Sequence, residues 1–161
     1  MAVGSASWSF TEEDFGAITR TLNKFLAETN ARCALLVDRS GQLVATVGEQ
    51  PQFDATAFAT LTAADFSANA QLAQLVGETD FNSLFHQGEK ESMYLADVAK
   101  RVILVALFDN RTTLGLVRLR IKDTVLELTK LFHDVFTRGK SAAQQPGLLA
   151  GADDEIDQLF G

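Results

Sequence analysis

Residues 54–77, DATAFATLTAADFSANAQLAQLVG, begin with a good N-cap residue, Asp54, and end with a good C′ residue, Gly77. The spacing predicts a single helix of about six turns. Between the cap and Gly77 only Asp65 is ionisable. One stripe is large and apolar: Phe58, Leu61, Leu72, Leu75 and Val76. A second is small or uncharged: Ala57, Thr60, Ala64, Ser67 and Gln71. A third runs through Ala59, Ala63, Phe66, Ala70 and Ala73. A surface helix normally carries charge opposite its core stripe, so a helix without that polar face is expected to be covered on more than one side. The expectation is that Phe58, Leu61, Leu72 and Leu75 pack on the home sheet and that the small stripes meet other chains. The other reading is an Ala-rich helix with a weakly polar exposed face. Asp65 has no role in either.

Upstream of this helix, two β-prone runs at 32–38 and 42–48 flank Arg39-Ser40-Gly41, a hairpin signal. Further upstream a helix starts at Thr11, with Asp14 as its capping-box partner and Phe10 and Phe15 placed for a hydrophobic staple. Its stripe is Phe15, Ile18, Leu22, Phe25 and Leu26, and Asn30 ends it. Downstream, strands are expected at 83–87, 92–98 and 101–108, the last an apolar run suited to a central strand. Leu114, Val117, Ile121, Leu128, Phe132 and Val135 share one helical face, so a long helix follows, capped by Thr112 or Thr113 and closed by Gly139. The order is α-β-β-α-β-β-β-α, an α/β (α+β) domain: a five-stranded antiparallel sheet with helices on both sides.

Expected organisation is a flexible N-terminus at 1–9, a domain at 10–138, a linker at 139–152 and a short acidic-apolar peptide at 153–161. That peptide, DDEIDQLFG, holds four acids with Ile156, Leu159 and Phe160 at helical spacing. A helix this short is marginal alone, so it is read as docking on a partner; the alternative is a frayed, solubilising tail.

Composition narrows the function. The chain has 161 residues, one domain's length, and a net charge of −7, which argues against a nucleic-acid partner. No apolar run is long enough for membrane insertion, and the start lacks the features of a signal peptide, so a cytoplasmic location is expected. The single Cys33 sits in an apolar run and is expected to be a buried free thiol. His86 and His133 have no ligand-spaced neighbours, so no metal is expected. Phosphate-cradling glycine loops and nucleophile motifs are absent from the sequence, so neither a cofactor nor a catalytic residue is assigned. Arg111, Arg118, Arg120 and Lys122 form a basic cluster in this acidic chain. It suits an acidic partner or the chain's own tail, or is simply a solvated helix face. Arg111, in a loop, is expected to be free to reach outward.

Several stretches resemble the roadblock family, and within it the MglB-like activators of a bacterial Ras-like GTPase, MglA. They are LVDRSGQLVATVG (36–48), LTAADFSANAQLAQLVGE (61–78), FHQGEKESMYLADV (85–98), FDNRTTLGLVRLRIK (108–122) and DDEIDQLF (153–160). The resemblance implies a homodimer in which helix 54–76 and strand 83–87 of two protomers meet, with Ala59, Ala63, Phe66, Ala70, Ala73 and Phe85 at the dimer interface. It implies that Ala64, Ser67, Ala68 and Gln71 grip an MglA-like small GTPase in its GTP state. Hydrolysis would then be stimulated by repositioning the GTPase's own catalytic groups, without an arginine finger and without an active site in this chain. Ile156, Leu159 and Phe160 would dock on the GTPase and modulate nucleotide exchange. Cell polarity or motility control, with the protein concentrated at a cell pole, is the implied setting. The alternative is a roadblock adaptor that dimerises and tethers partners without affecting GTP turnover.

Overall fold

The computed structural model describes residues 10–143, with side chains through residue 138. The expected flexible N-terminus (1–9), most of the linker and the docking peptide with Ile156, Leu159 and Phe160 lie outside the described residues. Three helices and five strands follow in the expected order: α1 (Glu12–Thr29), β1 (Cys33–Asp38), β2 (Leu43–Gly48), α2 (Ala55–Leu75), β3 (Ser83–Gln87), β4 (Ser92–Val98), β5 (Val102–Phe108) and α3 (Leu114–Ala143).

The sheet is antiparallel throughout, in the order β2-β1-β5-β4-β3. Strands β1 and β5 lie at its centre, covered on both faces, which is why CALLVD and VILVALF are almost uninterrupted apolar runs. Side chains alternate between faces with period two. Ala34, Leu36, Leu104 and Ala106 face α1 and α3, where Ile18, Leu22, Phe25, Val117, Ile121, Leu128 and Phe132 complete the larger core. Cys33, Leu35, Val37, Ile103 and Val105 face α2. Among the described residues one helix covers that second face, and this asymmetry sets up the functional surface.

Local signals explain the element ends. Thr11 and Asp14 form the capping box, with Thr11 N–H donating to Asp14 at 2.9 Å and Asp14 N–H to Thr11 Oγ1 at 3.1 Å. Burial pushes the Asp14 carboxyl up, but the Thr11 backbone N–H and the Arg138 guanidinium more than offset it and hold the pKa below its ordinary value. Asn30 closes α1 in the left-handed conformation at φ 59°. Gly48, at φ 94°, is required where β2 ends: a Cβ there would lie 2.5 Å from the Arg32 carbonyl oxygen.

Three expectations are corrected. Phe10 packs edge-on against Phe132 of α3 at 5.7 Å, and Phe15, expected on the apolar stripe of α1, is half exposed. Gly139 does not close α3, which continues to Ala143 and takes the first part of the expected linker. A glycine inside a helix costs only about 1 kcal/mol, and a long run of turns can absorb that.

The third correction concerns the faces of α2. Ala59, Thr62, Ala63 and Phe66 are buried on the home sheet, whereas Leu61, Leu72 and Leu75 are exposed. Ala59, Ala63 and Phe66, expected at a dimer interface, have almost no surface left to offer a second chain. Small residues let α2 approach β1 and β5 closely, and Phe66 fills the remaining space beside Phe81 at 5.0 Å. Size alone did not reveal which stripe lay inside. Of the four residues expected on the sheet, only Phe58 packs against this core.

Candidate partner-binding face

The outward side of α2 is made by Ala57, Leu61, Ala64, Ala68, Leu72 and Leu75, all exposed. Leu61 is 69% exposed, Leu72 59% and Leu75 82%, and Val76 at the C-cap is 82% exposed. Four large apolar residues along one helix, without an ionised group among them, form the kind of patch that marks an interaction site. Neither turn of the helix end supplies charge to solvate it.

Two contacts orient this face. Asp65 Oδ2 lies 2.6 Å from His86 Nε2 on β3, and the Asn69 amide donates to Asp65 Oδ1 at 2.9 Å. On the opposite flank Thr60 Oγ1 donates to the Gly41 carbonyl in the β1–β2 turn at 3.4 Å. At 100° per residue, Leu61 and Leu72 therefore lean to the Asp65 side, toward β3, while Ala64, Ser67 and Gln71 lean to the Thr60 side, toward β2. Strand β3 is a sheet edge, with Ser83 to His86 half-buried and Gln87 exposed. Leucine-bearing flank and open strand edge thus form one continuous surface. Ala70 and Ala73 on α2 are half-buried, whereas Phe85, expected at the same interface, points to the other face of the sheet, against the α1/α3 core, where it stacks on Phe108 at 6.2 Å. Ala64, Ser67, Ala68 and Gln71, the residues assigned to a GTPase, are all exposed and adjoin one another.

Asp65, unassigned from the sequence, thus acquires a role as the tie between helix and edge strand. Its signal was its isolation: a lone ionisable residue on an uncharged helix calls for a partner elsewhere.

The charged residues at the sheet's far end do not form a reactive site. Arg111 pairs with Asp109 and with Glu49, each at 3.0 Å, and Asn30 donates to its carbonyl. It is held in place and does not reach outward freely, because two carboxylates converge on it. The Asp109 and Glu49 hydrogen bonds raise its pKa further. Arg32 bonds Glu49 at 2.8 Å and also pairs with Glu91. Hydrogen bonds from Arg32 and then Arg111 hold the Glu49 carboxyl below its ordinary pKa, and Arg111 does the same to Asp109. Cys33 is a buried free thiol whose pKa desolvation pushes up to about 11, the opposite of a nucleophile's environment. No group of acidic, His and Cys side chains among the described residues could hold a metal ion, and no described helix is long and apolar enough to cross a membrane.

The sequence profile of the Roadblock/LC7 domain matches residues 18–108, from within α1 to the end of β5. No curated protein sequence matches the chain. Among solved structures, Myxococcus xanthus MglB is 45% identical, with a TM-score of 0.71 over 74% of this chain and 98% of that one. The gliding protein MglB from Thermus thermophilus is 31% identical, with a TM-score of 0.75 over 81% of this chain and 98% of its own. An MglB described in a tetrameric arrangement gives 30% identity and a TM-score of 0.76 over the same shares. The matched span and these identities establish that the chain belongs to the Roadblock/LC7 family, as an MglB-like member.

Proposed function

We propose that the protein is a dimeric regulator that activates GTP hydrolysis by an MglA-like small GTPase. The observation that carries this reading is the uncharged α2 face, with large apolar residues exposed beside an open β3 edge. A second copy takes the β3-side flank, where Leu61, Leu72 and Leu75 supply buriable area and β3 can extend its ladder. The β2-side flank, Ala64, Ser67, Ala68 and Gln71, takes the GTPase, since small side chains permit close backbone approach. Self-association also agrees with the tetrameric arrangement of the MglB relative.

Activation proceeds by repositioning the GTPase's own catalytic groups. Arg111, a loop arginine, is already bound to Asp109 and Glu49, so lending it to a phosphoryl group would cost both pairs. Ile156, Leu159 and Phe160 dock on the GTPase and tune nucleotide exchange. Control of polarity or motility, at a cell pole, is the setting that fits such a regulator. The test is single-turnover GTP hydrolysis by the cognate GTPase at saturating regulator. Acceleration that Ser67→Arg abolishes, with the dimer intact, is the expected result. No acceleration makes the protein a tethering adaptor, and full acceleration by Ser67→Arg removes the GTPase from this flank.

A further inference from the structure

Among the described residues a second uncovered face lies across the sheet from α2, and a dimer built through α2 and β3 leaves it open. Along the outward ridge of α3, Leu119 is 60% exposed and Leu126 is 62% exposed. They lie seven residues apart, so they line up about 10 Å from each other along the helix. Lys122 stands between them and Lys130 lies one turn beyond. Arg118 flanks the ridge, its guanidinium 5.9 Å from the Tyr94 ring centroid. None of these three cations forms an ion pair among the described residues, whereas Arg120 and Lys24, on the α1 side, pair with Glu28 at 3.7 Å and Glu127 at 3.0 Å. Asp123 and Glu127 border the ridge on the α1 side, where Glu127 pairs with Lys24, so its cationic side is the other one, with Arg118 and Lys122; in a chain of net charge −7 that side suits an acidic amphipathic peptide.

We infer that this α3 ridge holds residues 153–160 of the same chain, with Ile156, Leu159 and Phe160 on Leu119 and Leu126, and Asp153, Asp154, Glu155 and Asp157 among Arg118, Lys122 and Lys130. The segment carries four acids and no base, and its apolar residues fall at i, i+3 and i+4, one edge of a helix. Reach permits it. Residues 144–152 span up to about 30 Å when extended, against about 26 Å back along the helix from Ala143 to Leu126. Ridge and tail bring opposite charge and matching apolar area, so the contact weakens with salt. It requires no GTPase. Any partner that binds the tail must first draw it off α3, so the ridge sets how readily the tail is available.

The experiment uses the full chain without GTPase, carrying a nitroxide on Gln158→Cys; buried Cys33 stays unlabelled. Amide signals from about Leu119 to Lys130 should lose intensity through paramagnetic broadening. That loss should vanish in Leu119→Glu/Leu126→Glu and, as a second variant that removes no apolar area, in Lys122→Glu/Lys130→Glu. Circular dichroism confirms that each remains folded. Broadening mapped to α2, or none at all, overturns the assignment. So does broadening in a mixture of spin-labelled unenriched chain with unlabelled enriched chain, which would place the tail on a second copy.

Discussion

His86 Nε2 on β3 and Asp65 Oδ2 on α2 lie 2.6 Å apart, so the one ionisable residue inside the central helix is bound to the edge strand of the sheet. The pair marks the rotation of α2 about its axis, which the burial of Ala59, Ala63 and Phe66 on the sheet sets. With Asp65 turned toward β3, Ala59, Ala63 and Phe66 must face the sheet, and Leu61 and Leu72 must look outward along the β3 side.

Removing the tie should loosen that edge. Asp65→Ala should cost about 0.5–1 kcal/mol, the low end for a charge-assisted bond because both side chains are partly exposed. The urea midpoint should fall at constant m-value, and hydrogen exchange should quicken in β3 more than in β1 or β5.

The inverted faces of α2 predict two opposite phenotypes. Phe66→Ala, deep in the small core, should destabilise the fold by about 3–5 kcal/mol. Leu72→Asp, on the outward face, should leave far-ultraviolet circular dichroism unchanged while weakening self-association by roughly tenfold or more, read by light scattering on a dilution series. Should Leu72→Asp remain as dimeric as the parent, the β3-side flank is not the self-association surface.

The bridged cluster at the sheet's end makes stability depend on acid. Glu49 and Asp109 have folded pKa values below those of the unfolded chain, so each contributes stability that is complete above the ordinary carboxylate range and lost as pH falls through the folded value. Arg111→Gln should therefore flatten the decline in stability below about pH 4.5, the ordinary Glu value, with little effect on its shape at pH 7. Denaturant melts across that range provide the reading.

Cys33 works in the alkaline direction. Its pKa, about 11 when folded against an ordinary 9.0, means that the unfolded chain loses the thiol proton first. Stability is complete below pH 9.0 and falls as pH rises toward 11, a dependence that Cys33→Ala should remove. A thiol reagent at pH 8 should leave the native protein unmodified and react on unfolding.

At the β4–β5 turn, Ala99 and Lys100 adopt φ of 55° and 59°, and Arg101 N–H closes the turn on Val98 at 3.1 Å. Two consecutive left-handed residues suit a type I′ hairpin, where glycine is the usual second residue. Lys100→Gly should stabilise the protein by about 1 kcal/mol, seen as a higher melting temperature with Arg39 still paired to Asp97.

Much of the architecture was legible in local pattern. The capping box at Thr11 and Asp14, the left-handed stop at Asn30, the Arg39-Ser40-Gly41 turn and the apolar runs of β1 and β5 are statements about neighbouring residues, and backbone hydrogen bonding and period-two alternation enforce them locally. Every helix and strand, and the antiparallel sheet between its helices, followed from them. Three things depended on residues far apart in sequence. Which stripe of α2 faces the sheet was decided by close packing of Ala59 and Ala63 on β1 and β5, although leucine is the more apolar residue. The partner of Asp65 was a histidine 21 positions away. Arg111, exposed in its loop, was captured by Glu49 from the end of β2. Periodicity can show that a helix has three faces, but assigning them requires knowing what each face meets, and only the packed chain supplies that.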